Sequence, residues 1–191
     1  MYIWRNVFSS SEKVICEKTL AAIIFTKRIV KSYSFITSKL DYCNSLLYGL
    51  PNSDLLKLQR IQNAAARLVT NSHRFCHITP VLRDLHWLPV KLRIQYKILL
   101  ITFKALHNLA PAYVKELITV KPSTKYSLRS NNSLLLSVPV ARTYKTLGDR
   151  AFSYSSPHLW NSLPQSIRNI SSLQSFKSHL KTYLFKLYFC S

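Results

Sequence analysis

Between Val90 and Asn108 the apolar residues Leu92, Tyr96, Leu99, Phe103 and Leu106 step by four, three, four and three. Ile94, Ile98 and Ile101 widen that stripe until most of the circumference is apolar. A helix of this kind has almost no face to give to water, so the pattern predicts a central element with other helices packed around it. Pro89 opens it, and Ala110-Pro111 closes it with a brief helix through Ile118 to follow.

The surrounding segments suit that role. Gly49 followed by Pro51-Asn52-Ser53-Asp54 joins a stop signal to a fresh N-cap, after which Leu58, Ile61, Ala65 and Leu68 repeat at helical spacing as a core face. The run Ala64-Ala65-Ala66 has high helix propensity and lets a partner helix approach closely. Thr79-Pro80 reads as an N-cap and first helical residue of a short helix to about Leu85, and residues 11–38 also suit a helix. Ser171-Ser172 caps a terminal helix with Leu173, Phe176, Leu180, Leu184 and Leu187 on one face.

Between these helical regions the texture changes. Residues 121–133 are polar and aperiodic and read as a linker loop. Leu134 to Val138 has the pattern of a short strand, paired with Arg142 to Leu147, and Pro157 and Pro164 frame a single turn of helix. The expected fold is mainly α. A helical segment (1–32) and a helical domain (33–120) precede the loop, and a smaller C-terminal subdomain (134–191) with a short β element and a terminal helix follows it.

Charge narrows the function. The 191 residues hold 27 Lys and Arg against 7 Asp and Glu, a net +20, yet 48% of them are hydrophobic, enough for a buried core under a cationic surface. Such a surface attracts polyanions, and nucleic acid is the first candidate because neutralised phosphates release counterions. The two glycines, Gly49 and Gly148, exclude a P-loop and a GxGxxG turn. Cys16, Cys43, Cys76 and Cys190 lie far apart without a CxxC pair, which fits a reducing compartment. The start lacks the order of a signal peptide and no apolar run reaches a membrane span, so an intracellular protein of nucleus or cytoplasm is expected, with no membrane partner.

The acidic residues Glu12, Glu17, Asp41, Asp54, Asp84, Glu116 and Asp149 are scattered singly, with no DxD, YxDD or ExxH pair. Two-metal phosphoryl transfer needs converging carboxylates, so the chain as it stands is not expected to be an enzyme, nor to need a cofactor. His73, Cys76 and His77 share a helical spacing with His86 nine residues on, but no second cysteine completes a zinc pattern, and exposed histidines near a helix end account for them.

The cations are better organised. Lys57, Arg60 and Arg67 line the polar face of the Ala-rich helix, Arg93, Lys97 and Lys104 that of the central helix, and Lys177 and Lys181 that of the last one. Any solvated helix carries some Lys and Arg, but ordinary wet faces mix both signs and these hardly do. Arg142 and Arg150 complete the candidate nucleic-acid-binding set. Replacing Arg60, Arg67, Arg93 and Lys97 together is expected to flatten the salt dependence of binding. Tyr96, Phe103, Phe176 and Tyr183 fall on core positions and offer no evident base-stacking platform.

Longer strings carry a resemblance. Leu40-Asp41-Tyr42-Cys43-Asn44-Ser45-Leu46-Leu47-Tyr48-Gly49-Leu50-Pro51 and Leu58-Gln59-Arg60-Ile61-Gln62-Asn63-Ala64-Ala65-Ala66-Arg67-Leu68-Val69-Thr70 come first. His77-Ile78-Thr79-Pro80-Val81-Leu82, Leu85-His86-Trp87-Leu88-Pro89-Val90, Gly148-Asp149-Arg150-Ala151-Phe152-Ser153 and Leu159-Trp160-Asn161-Ser162-Leu163-Pro164 follow in order. Together they resemble the region downstream of the polymerase palm in non-LTR, LINE-like retrotransposon reverse transcriptases of the Jockey type. Residues 1–32 depart from that pattern. The resemblance implies a thumb-like helical region that grips RNA or an RNA/DNA duplex without reading sequence, beside palm and fingers domains that this chain lacks, and it carries over no catalytic residue. The alternative is a transposon remnant with no selected activity, or a helical protein-interaction module.

Overall fold

A computed structural model describes residues 34–121, 134–139 and 150–190. It is mainly helical. Residues 34–41 form α1, a short 3-10 turn covers Asn44–Leu47, and then come α2 (Asn52–Thr70), α3 (Ile78–Asp84), α4 (Val90–Leu106) and the one-turn α5 (Ala112–Lys115). Beyond the expected linker lie α6 (Phe152–Asn161), the single turn α7 (Gln165–Arg168) and α8 (Leu173–Phe189).

The central place of α4 follows from its sequence. Its residues Leu92, Ile94, Ile98, Leu99 and Phe103 are all buried, and they share one core with Leu159 and Trp160 of α6 and with Phe176, Leu180 and Leu184 of α8. The segments on either side of residues 121–133 therefore share one core. Phe103 stacks on Phe176 with ring centroids 4.2 Å apart, and Trp160 leans on the same ring at 5.9 Å. Where α6 meets α4, the small buried Ser155 and Ser156 permit close approach, and the Ser156 and Thr102 hydroxyls lie 2.7 Å apart.

A second cluster joins Ala65, Ala66 and Val69 of α2 to Leu82, Trp87 and Phe189. Here the sequence reading needs correction. Ile61 and Leu68 are exposed, at 55% and 71%, and the buried face of α2 is turned so that Gln62, Ala65, Ala66 and Val69 point inward. Two backbone groups explain the rotation. Gln62 Nε2 donates to the Leu88 carbonyl and Gln59 Oε1 accepts from the Val90 N–H, both at 2.9 Å. Val90 opens α4, where Pro89 supplies no side-chain cap, so α2 satisfies a donor that would otherwise cost about 1–3 kcal/mol buried and unpaired.

Other local signals shift likewise. Pro51 occupies the N-cap of α2 with no side-chain cap bond, while Asp54 in the first turn pairs with Lys57 at 2.9 Å. His77, not Thr79, is the N-cap of α3, and Ser172 is the N-cap of α8 without its hydroxyl forming a cap bond. Pro157 lies inside α6 rather than at its edge; its ring is fully buried, and that packing offsets the hydrogen bond it cannot donate. The buried face of α8 ends on Phe189, leaving Leu187 half exposed.

The extended piece at 134–138 pairs with 119–121 through an isolated antiparallel bridge, Val120 to Leu136. The pairing expected with 142–147 falls outside the described residues. What anchors this piece is α6: Trp160 Nε1 donates to the Leu134 carbonyl at 2.8 Å, and the Asn161 amide both accepts from Leu136 N–H and donates to Leu136 carbonyl at 2.9 Å.

Two predictions follow from this packing. Phe176→Ala should lower the unfolding free energy by about 3–5 kcal/mol, whereas Leu68→Ser should change it by no more than about 0.5 kcal/mol, both read by urea denaturation. Asn161→Asp keeps the acceptor but sets a carboxylate against the Leu136 carbonyl, and about 1–3 kcal/mol should be lost; Asn161→Asp as stable as the parent chain would contradict the bracket.

Candidate nucleic-acid interface

The expected cations have different surroundings. Lys57 and Arg60 are exposed on α2, with Lys57 paired to Asp54. Arg67 is partly buried, and its Nη2 donates to the Cys76 carbonyl at 3.3 Å, so it braces the α2–α3 connection. Arg150 donates through Nε to the Gly49 carbonyl at 3.1 Å. Gly49 has φ +73°, and a Cβ there would come within 2.7 Å of the Arg150 stem, so this turn is shaped around that side chain. Arg142 falls outside the described residues.

Three of the cations meet. Arg93 and Lys97 of α4 and Lys181 of α8 line one recess of about 450 Å³, although they come from two helices far apart in the chain. Because Phe103 of α4 stacks on Phe176 while Lys97 shares the recess with Lys181, the two helices run antiparallel. Helical spacing then places Lys104 two turns beyond Lys97 on its face of α4, and Lys177 one turn from Lys181 on its face of α8. Both lie on the same side of the recess. The four lysines form a cationic track along the α4–α8 seam.

The opposite sign is scarce there. Among the described residues the ion pairs are Lys57–Asp54 and Arg93–Asp41, the latter at 3.1 Å with the Arg93 side chain only 14% exposed. Asp41 neutralises a largely buried guanidinium and fixes it, which leaves Lys97 and Lys181 without an acid partner. The Asn44 amide, 2% exposed, donates to Asp41 at 3.4 Å and keeps its own oxygen unpartnered at the wall of the recess. Burial raises the Tyr96 phenol above its ordinary range, so it adds no negative charge at neutral pH.

His86, Trp87 and Tyr96 complete the wall, and sequence reasoning did not assign them to a nucleic-acid site. His86 has φ +54° and its ring stacks on Phe185 at 5.5 Å. It had been weighed with His73, Cys76 and His77 as a metal ligand; among the described residues no group of three His, Cys, Asp or Glu is placed to hold a metal ion. The signal the sequence offered for the recess, unused in its reading, was the position of His86-Trp87 at the sharp turn before Pro89. Among the described residues, no helix is long and apolar enough to cross a membrane.

Compared with protein families, with curated proteins and with solved structures, the chain has no match in any of the three.

Because Arg93 is a largely buried cation paired to Asp41, Arg93→Ala should destabilise the chain in urea by about 1–3 kcal/mol, whereas Arg67→Ala, which loses an exposed bond to the Cys76 carbonyl, should cost about 0.5–1.5 kcal/mol. Lys104→Ala and Lys177→Ala, with no such bonds, should stay within about 0.5 kcal/mol.

Proposed function

We propose that this chain is a non-catalytic, nucleic-acid-binding portion of a non-LTR retrotransposon reverse transcriptase, similar to the thumb-like region after the palm, and that it grips RNA or RNA/DNA duplex through backbone phosphates. The observation that carries this reading is the α4–α8 track: Lys97, Lys104, Lys177 and Lys181 on facing helices with no acid paired to them among the described residues. Lysines in that setting neutralise phosphates without reading base edges, so sequence specificity should be weak. Palm and fingers would supply the polymerase chemistry, which this chain's scattered carboxylates do not offer.

The test is the salt dependence of binding. Affinity for a hairpin RNA, read by fluorescence anisotropy, should fall linearly on a log–log plot with a slope of about −0.7 to −0.9 per phosphate neutralised. Lys104→Ala with Lys177→Ala should reduce that slope by one to two such contacts while leaving the fold intact. Binding that is absent at low salt, or indifferent to it, overturns the reading.

One observation favours the second reading, a helical protein-interaction module. Ile61 and Leu68 lie exposed on one side of α2, and Phe75 in the following loop is 79% exposed. Such a module would be indifferent to nucleic acid, and on a sizing column Ile61→Ser with Leu68→Ser would abolish association.

A further inference from the structure

The recess differs from the track that leads to it. Its volume of about 450 Å³ is that of a small-ligand pocket, and no duplex fits inside it. Two kinds of group converge there: the cations Lys97 and Lys181, with no acid paired to them among the described residues, beside the fixed Arg93, and an aromatic wall of the half-buried Tyr96 backed by the buried Trp87.

These groups suit a phosphomonoester carried on a nucleoside better than a phosphodiester. A terminal phosphate holds close to two negative charges at neutral pH, against one for an internal linkage, and gains more from two lysines with no acid paired to them among the described residues. An internal linkage must also leave the site as it entered. A recess at the head of a track accepts a chain end, with the strand running out along the lysines.

We propose that the recess between α1, the 85–88 turn, α4 and α8 binds the phosphorylated end of a nucleic-acid strand, with the phosphate on Lys97, Lys181 and Arg93 and the terminal nucleoside against the aromatic wall. The proposal rests on the nucleic-acid reading above and narrows it to one position on the strand.

The full chain is titrated, at one fixed salt concentration, with a short labelled single-stranded RNA bearing a phosphate at the 5′ end, at the 3′ end, or at neither. A strand with one phosphorylated end should bind about tenfold tighter than the hydroxyl-ended strand. In Lys97→Ala with Lys181→Ala the phosphorylated and hydroxyl-ended strands should bind alike, while Lys97→Arg with Lys181→Arg retains the preference; circular dichroism confirms that each variant is folded. Equal affinity for all three strands in the parent chain, or a preference that survives the double alanine variant, overturns the proposal and leaves the backbone reading standing. No binding of any strand at low salt overturns the backbone reading itself. Adenosine monophosphate that displaces the phosphorylated strand at matching concentration overturns the strand end in favour of a free nucleotide.

Discussion

A helix with almost no wet face organises this molecule. The dry arc of α4 takes α6 on one side and α8 on another, and the Phe103–Phe176–Trp160 cluster closes the junction. That burial also concentrates charge. Apart from Lys91 and Gln95 on the opposite side, the polar residues of α4 outside the core fall on a narrow strip, and Arg93, Lys97 and Lys104 are all half-buried along it. Charges that stand against a low-dielectric core are screened less by salt than charges on a free surface, so a few lysines here produce a stronger field than the same number on an exposed stripe such as that of α2.

The connections are held by side chains that reach across the fold, because the helix caps themselves contribute little. Gln59 and Gln62 of α2 take up the polar backbone at the entry to α4, and Trp160 and Asn161 of α6 hold the 134–136 piece. Arg83 donates to the Phe189 carbonyl at 2.6 Å, which places a cation at the negative end of α8. The first of these connections bears on the candidate site. With Leu88 bonded to Gln62 and Val90 to Gln59, the 85–88 turn has one position, and His86 and Trp87 keep their places in the wall of the recess.

Much of this was legible from residue spacing. The position of α4, the helical character of α2 and α8, and the burial of Phe103, Phe176 and Leu180 follow from apolar periods that packing had no reason to override. The inward face of α2 was not legible, because two glutamines, each answering a distant backbone group, outweighed an isoleucine and a leucine on the neighbouring face. Pro157 was misplaced for a related reason: a proline normally marks an edge, but here a fully buried ring holds its place inside α6. The recess was beyond periodicity altogether. Helical spacing sorts Arg93 with Lys97, and Lys177 with Lys181, but only the antiparallel stacking of α4 on α8 brings the two pairs together.

The scarcity of acid gives the seam its polarity. Asp41 is the carboxylate at the recess, and it is spent on the one cation that the fold most needs neutralised, an Arg93 side chain largely withdrawn from water. The recess keeps the same positive surplus whichever cation Asp41 pairs with, but held by Arg93 and by the Asn44 amide the carboxylate is confined to one side and the two lysines stand on the other. Exposed cations such as Lys39, Arg60, Arg74, Lys91 and Lys115 stand elsewhere on the surface, and the seam adds two lysines at the recess and two along it, on helices whose spacing is fixed by a buried aromatic stack. A cationic skin spread evenly over the molecule would attract any polyanion in any orientation. Cations fixed at the junction of two packed helices, with a recess at one end, add an orientation that such a skin lacks.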